Sequence, residues 1–293
     1  MKYPNVSIIV PTFNNQEVLQ KALNGLLKLS YPSKYEIIVI NDGSTDKTKK
    51  MLKEKFSDKK KIKIFNIPRS GVCVARNTGI KKSKYSIIVN MDHDCIPEKN
   101  WLKKMAEGFS SPKIGIVNAF GAFGGTSTAF RRKVLEEVNY YDEHYFYYRE
   151  DTDLTFKILE KGYEMNSVKA EFKHDHKIDN PKNIFDLIKF FHWRLKNHMN
   201  DVLLYKKHPN KLTEDFLGIK FGFLINPVKD FKTATGTWDG KGRFKLSSPR
   251  GIVFLKNKTP IHTLIIFFLG ICYVLAVKFF RLIGSIKHRK LLI

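Results

Sequence analysis

Between Val6 and Phe120 the chain alternates short apolar runs with longer stretches whose apolar residues recur every three or four positions. The runs VSIIV (Val6–Val10), EIIVI (Glu36–Ile40), KIKIF (Lys61–Phe65), SIIVN (Ser86–Asn90) and IGIVNAF (Ile114–Phe120) are rich in β-branched residues and apolar enough to be buried strands. In the segment Glu17–Leu29, helical spacing puts Leu19, Leu23, Leu26 and Leu27 on one face. Strands alternating with helices predict an α/β fold, a mostly parallel sheet covered on both sides. Ligands of such sheets sit beyond the carboxyl ends of the strands, so the polar residues after each strand are the site candidates.

Further along, FGGTSTAFRR, an aromatic cluster at Tyr140–Tyr148 and REDTDLTFKILEKGY lead into a predicted strand ending at His174-Asp175-His176. One long amphipathic helix is predicted over Asn183–Lys207, with Ile184, Leu187, Ile188, Phe191 and Leu195 on its apolar side. Pro209–Lys258 has no clear period and receives no assignment. The run LIIFFLGICYVLAV (Leu264–Val277) carries no charge, and with its flanks Ile261–Thr263 and Phe279–Ile283 it approaches the roughly 20 residues that cross a bilayer.

Composition changes this picture in two ways. At 293 residues and 43% hydrophobic, the chain can bury one large domain plus an appendage. Its net charge of +24 favours an acidic partner: nucleic acid, anionic lipid or a phosphorylated substrate. Three separated cysteines, Cys73, Cys95 and Cys272, argue against a disulfide framework or a thiolate zinc site and fit a reducing compartment. The opening MKYPNVSIIVPTFNN lacks the long apolar stretch of a signal peptide, so the first domain is expected in the cytoplasm. The positive-inside rule places the basic residues after the apolar tail there too, and a single span cannot satisfy both. A helix lying in the interface resolves the conflict, as does a hairpin whose other arm is Phe216–Ile225.

The strand ends supply candidate chemistry. They read Pro11-Thr12-Phe13-Asn14-Asn15, Asn41-Asp42-Gly43-Ser44-Thr45-Asp46 and Met91-Asp92-His93-Asp94. Asp92-x-Asp94 directly after a buried strand lets two carboxylates converge on a hard divalent cation, which keeps positions for substrate phosphates. Asp42 on another strand end and His174 as a further ligand add weight. His93 reads as a spacer and Cys95 as a small buried filler. Glu150-Asp151-Thr152-Asp153 opens a helix; these acids suit the helix dipole, and one of them can also serve as a general base toward a hydroxyl, although spacing does not say which.

PTFNN, VINDGSTD, GVCVARNTGI, NMDHDCIP, GGTSTAFRR and YREDTDLTFKILEKGY followed by His174 occur in the order seen in family-two glycosyltransferases of the GT-A fold, a resemblance that covers Val6–His176. It implies an inverting transfer from a nucleoside-diphosphate sugar, with a divalent cation (Mn²⁺ or Mg²⁺) as cofactor. Pro11, Thr12, Asn14 and Asp42 would form the nucleotide side, with Arg76 near the nucleotide, where a guanidinium can also meet phosphate, and Asp92 facing the ribose and metal region. Asp94 and His174 would bind the metal, His176 being the second choice. Gly125, Thr126 and Ser127 would shape the acceptor side, and Asp151, with Glu150 as neighbour, would be the base. The expected division is a catalytic domain over 1–180, an extension with the amphipathic helix over 181–258, and an apolar membrane-associated helix with a basic tail over 259–293. The expected partners are the sugar donor, a glycan or lipid-linked acceptor and the cytoplasmic surface of a membrane. Nucleic acid is not among them, because the basic residues fall in no recognised module. The competing readings are an inactive basic membrane scaffold and a nucleic-acid-binding protein.

Overall fold

A computed structural model describes residues 3–119, 123, 125–175, 183–238, 243–248, 251–256 and 259–293. The chain forms two units, Met1–Ile178 and Asp179–Ile293. The first runs β1 (Val6–Thr12), α1 (Gln16–Leu27), β2 (Tyr35–Asp42), α2 (Thr48–Phe56), β3 (Ile62–Ile67), α3 (Val72–Lys82), β4 (Ile87–Asn90), β5 (Cys95–Pro97), α4 (Trp101–Glu107), β6 (Ile114–Asn118), β7 (Thr128–Arg131), α5 (Arg132–Glu137), α6 (Glu150–Glu160), β8 (Glu164–Ser167) and β9 (Phe172–His174).

Among the described residues, seven strands form one sheet in the order β3-β2-β1-β4-β7-β6-β8. β1, β2, β3 and β4 are parallel, β7 runs antiparallel to both its neighbours, and β8 is parallel to β6. Every residue of β1, β2 and β4 is buried, as expected of strands covered on both faces. Leu19, Leu23 and Leu26 of α1 join the core as the leucine spacing predicts, with Leu27 packed at its margin. α3 lies close to the sheet because Gly79 has no side chain; a Cβ there would come within 2.4 Å of Ile9 Cγ2. The chain runs outward from β1 to β3 and then returns to the other side of β1 with β4. The β1/β4 boundary is therefore the switch point where open α/β sheets bind ligands. A separate two-stranded ladder pairs β5 with β9 and sets Cys95 opposite His174.

The second unit contains α7 (Ile184–Lys196), α8 (Met199–Lys207), α9 (Lys211–Leu217), β10 (Ile219–Lys220), β11 (Leu224–Ile225), α10 (Pro227–Thr235), β12 (Thr237–Trp238), β13 (Arg243–Ser248), β14 (Gly251–Lys256) and α11 (Pro260–His288). The single long helix expected over Asn183–Lys207 is divided at Asn197–His198, where bonds from His198 N to Leu195 O and from Asp201 N to His198 O tighten the turn. The two halves differ in surroundings: α8 buries Val202, Leu204 and Tyr205, whereas α7 buries nothing. Phe216–Ile225 is not a helical arm; it is the end of α9 followed by the antiparallel pair β10–β11.

Candidate active site

Beyond β4, Arg76 of α3 is the hub. It is only 3% exposed, and its guanidinium lies 2.8 Å from Asp151 Oδ1, 3.3 Å from Asp92 Oδ1 and 3.6 Å from Glu150 Oε1. Burial pulls its pKa down, but the carboxylates of Asp151, Asp92 and Glu150 and the Tyr141 hydroxyl outweigh burial and hold it well above its usual value. Tyr141 lies beneath the guanidinium, 5.2 Å from ring centroid to Cζ. Its hydroxyl donates to Asp151 Oδ1 at 3.1 Å and accepts from Asn90 Nδ2 at 2.6 Å. Asn77, the next residue of α3, fixes that tyrosine by exchanging hydrogen bonds with its backbone N–H and C=O. Asp151 Oδ1 is thus held from two sides, while Oδ2 has no partner among the described residues.

Glu150 and Asp151 open α6, and the turn before them is strained. Tyr148 (φ 70°) and Arg149 (φ 77°) both occupy the left-handed region, which side-chain-bearing residues seldom adopt. This turn, Arg76, Asp92, Phe123 and Gly125 line an open cavity of about 260 Å³. Burial, then the adjacent Asp151 carboxylate, raises the Glu150 pKa to about 7 against the pull of Arg76. Asp153 is fully buried and accepts from the Tyr145 hydroxyl at 3.3 Å. On the other wall, Thr126 Oγ1 accepts the Asp92 amide at 3.0 Å, and Ser127 accepts from the Trp101 indole at 2.7 Å. Gly125 faces the cavity, whereas Thr126, which supports the Asp92 turn, and Ser127, which holds Trp101, are buried and do not line it.

A second cluster lies two residues past Asp92. The β5–β9 ladder brings His174 Nε2 to 3.3 Å from Asp94 Oδ1, with Cys95 Sγ close enough for one ion to touch all three groups. Burial pushes the Cys95 thiol pKa far up, so sulfur stays protonated and donates to Asp94 Oδ1 at 3.6 Å. His93 bonds Asn15 through Nε2 at 2.8 Å, in keeping with a spacer. His176 lies outside the described residues.

A third cluster surrounds Asp42. Its carboxylate accepts the amides of Ser70 (2.7 Å) and Gly71 (3.0 Å) just before α3, and it pairs with Arg69. The Arg69 guanidinium in turn stacks 4.0 Å from the Phe13 ring centroid and 5.2 Å from that of Phe146. Asn14 Oδ1 accepts the amides of Thr45 and Asp46 and so ties the β1 loop to the β2 loop. Pro11 is buried, and Thr12 has a buried hydroxyl without a protein partner among the described residues. Asp42, Asp94 and His174 do not line the cavity at Asp151. The three clusters are linked through α3, which Asp42 meets at one end and which carries Arg76, and through the Asp92–Asp94 turn.

Residues 7–165 match the sequence profile of glycosyl transferase family 2, more than half of the chain. The chain belongs to that family. Among its relatives, glycosyltransferase AglE of Haloferax volcanii is 35% identical over 130 residues, 42% of this chain and 43% of AglE. A poly-beta-1,6-N-acetyl-D-glucosamine synthase of Staphylococcus epidermidis is 26% identical over 197 residues, 55% of this chain and 47% of the synthase. The chain thus spans about half the length of these curated relatives. The solved mannosyltransferase PcManGT of Pyrobaculum calidifontis, in complex with GDP-Man and Mn²⁺, superposes with a TM-score of 0.56 at 21% identity, covering 70% of this chain and 64% of that one. At that identity the likeness concerns the fold, which is GT-A: the family's mostly parallel sheet flanked by helices, here followed by a C-terminal apolar helix.

Proposed function

We propose that this family-2 member is an inverting glycosyltransferase that moves a sugar from a nucleoside-diphosphate donor to an acceptor hydroxyl. The observation that carries the reading is Asp151: it lines the cavity with one carboxylate oxygen held by Arg76 and Tyr141 and the other without a partner among the described residues. Asp151 Oδ2 takes the proton of the acceptor hydroxyl as that oxygen bonds the anomeric carbon. The bond from that carbon to the diphosphate breaks on the opposite face, and its electron pair leaves with the phosphate oxygen. Arg76, cationic and beside Asp92, would meet the developing negative charge.

The Asp94–His174 pair fits a divalent cation. It offers one carboxylate oxygen and one imidazole nitrogen, sets beside them a Cys95 sulfur that a hard cation has little use for, and leaves the remaining positions to water and phosphate oxygens. Bound there, Mn²⁺ or Mg²⁺ would neutralise the diphosphate as it departs. On the nucleotide side we place Pro11, Thr12, Asn14 and Asp42, with Phe13 and Arg69 as an added stacked edge. Gly125 borders the acceptor side, with Thr126 and Ser127 behind it.

The exposed apolar helix α11 supports association with a membrane, and the free cysteines fit its cytoplasmic face. A relative named for poly-N-acetylglucosamine synthesis supports a cell-envelope or lipid-linked glycan as acceptor. The decisive variant is Asp151→Asn. It keeps the oxygen that Arg76 and Tyr141 hold and removes the base, so turnover should fall by about 10²–10⁴-fold with donor affinity nearly unchanged. Wild-type turnover in Asp151→Asn would remove the assignment.

A further inference from the structure

The two faces of α11 are built for different neighbours. Gly270, Val277, Arg281, Gly284 and Ser285 are its buried residues, and helical periodicity puts them on one side. Ile261, Ile265, Phe268, Ile271, Leu275, Phe279, Leu282 and Ile286 are exposed and recur every three or four residues on the opposite side, over almost the whole helix. The buried side is held by ion pairs: Arg281 reaches Asp230 of α10 at 2.6 and 2.9 Å and Asp201 of α8 at 3.0 Å. Lys278 adds a hydrogen bond to the Ile225 carbonyl at 2.9 Å. α10 packs tightly where Gly270 lets Phe231 approach, and the two helices also meet at Phe231 and Phe267, with ring centroids 5.4 Å apart.

We propose that α11 lies lengthwise in one leaflet at an anionic bilayer surface, with α7 beside it, and does not cross the membrane. This rests on the membrane association argued above and adds its geometry. At 29 residues and about 43 Å, α11 is long enough to span the roughly 30 Å hydrocarbon core. A spanning α11 would have to carry α8 and α10, which cover one side of it, into the bilayer or lose them. Those helices have nine residues each, about 14 Å, and carry charges, so they cannot accompany it across. Stripping them away would leave Lys278 within the bilayer and Arg281 at its edge without the partners that hold them here. Lying flat, α11 keeps its ion pairs and sinks its outer stripe among the acyl chains.

α7 fits the same plane. Its His192 ring packs against Phe280 of α11 with centroids 5.4 Å apart, and it exposes Phe185, Ile188, Phe191 and Trp193. Exposed Lys189, Arg194 and Lys196 on α7, with Lys287 and Arg289 at the end of α11, supply positive charge for anionic headgroups. The flat placement also removes the orientation conflict, since both ends of α11 stay on one side.

The test uses inside-out membrane vesicles from cells expressing the full chain with the exposed Cys272 replaced (Cys272→Ser), leaving only buried Cys73 and Cys95. Single thiols are introduced at His262→Cys and Lys287→Cys, both exposed and near opposite ends of α11, and are reacted with a membrane-impermeant maleimide before and after detergent. The proposal expects the chain to sediment with the vesicles and both thiols to react fully without detergent. If the chain sediments but one of the two thiols reacts only after detergent, α11 crosses the bilayer and the flat placement is wrong while membrane association stands. If the chain remains in the supernatant, membrane association itself is wrong, and this proposal with it.

Discussion

Glu150 and Asp151 are adjacent acids with opposite surroundings. Glu150 is 5% exposed, and its carboxyl titrates near pH 7 because burial and then Asp151 oppose its ionisation. In the unfolded chain it ionises near the ordinary 4.5, so between these values the folded protein binds the extra proton. Protonated Glu150 therefore favours the fold below about pH 4.5, and that contribution is lost as pH rises through about 7. Glu150→Gln cannot ionise and should lose less stability between pH 5 and pH 8 than wild type; equal losses in urea titrations at the two pH values would contradict the assignment. Tyr141→Phe removes the hydroxyl shared by Asn90 and Asp151, leaving a buried amide unsatisfied. It should cost about 1–3 kcal/mol in denaturant unfolding and slow transfer by loosening Asp151; unchanged stability and rate would show that the bridge does not matter. The sequence displayed both acids but not the difference between them, because that difference comes from the burial of Glu150 and from the hold on Asp151 by Arg76 and Tyr141, which fold in from 75 and 10 residues away. Asn90 was the available signal, a polar residue closing an otherwise apolar strand before Asp92. Asn77 stood in view beside Arg76. Arg69 and Phe146 gave none, since nothing in their spacing links them to Phe13.

At the scale of elements, the parallel strands were legible because each is buried from end to end and so reads as a continuous apolar run. β8, with the sequence EMNS and only partial burial, has no such pattern, and three-residue β5 is too short to show one, whereas the strand expected to end at His174-Asp175-His176 corresponds to β9. The β5–β9 pairing sets His174 against Asp94 and was invisible for the same reason, although both residues were singled out as ligands. Sequence spacing also ran α7 and α8 together, because the break reflects which face each buries rather than a glycine or proline. Gly79 holds α3, and with it Arg76, close to β1 and β2. Gly79→Ala would force a methyl group against Ile9 and should destabilise the fold by about 1–3 kcal/mol, read as a lowered urea midpoint. An unchanged midpoint would mean that the helix can move away without loss.

For the whole molecule, the strand order accounts for where chemistry gathers. The reversal at β1/β4 opens the sheet where the β1 loop, the start of α3 and the Asp92–Asp94 turn emerge. The acids gathered there, at Asp42, Asp92, Asp94 and Asp151, would repel a diphosphate on their own. Each is met by a positive or hydrogen-bonding group: Arg69 and backbone amides at Asp42, Arg76 at Asp92 and Asp151, and His174 at Asp94. A cation at Asp94 and His174 would complete the compensation, so donor binding is expected to require it. The most direct test is thermal unfolding of the full chain with a panel of nucleoside-diphosphate sugars, with Mn²⁺ or Mg²⁺ and with EDTA. At least one donor should stabilise the fold only when the cation is present, by about 2.7 kcal/mol at a hundredfold excess over its dissociation constant, and Asp94→Ala should abolish that dependence. A panel with no stabilising donor, or stabilisation that persists unchanged in EDTA, would contradict the account.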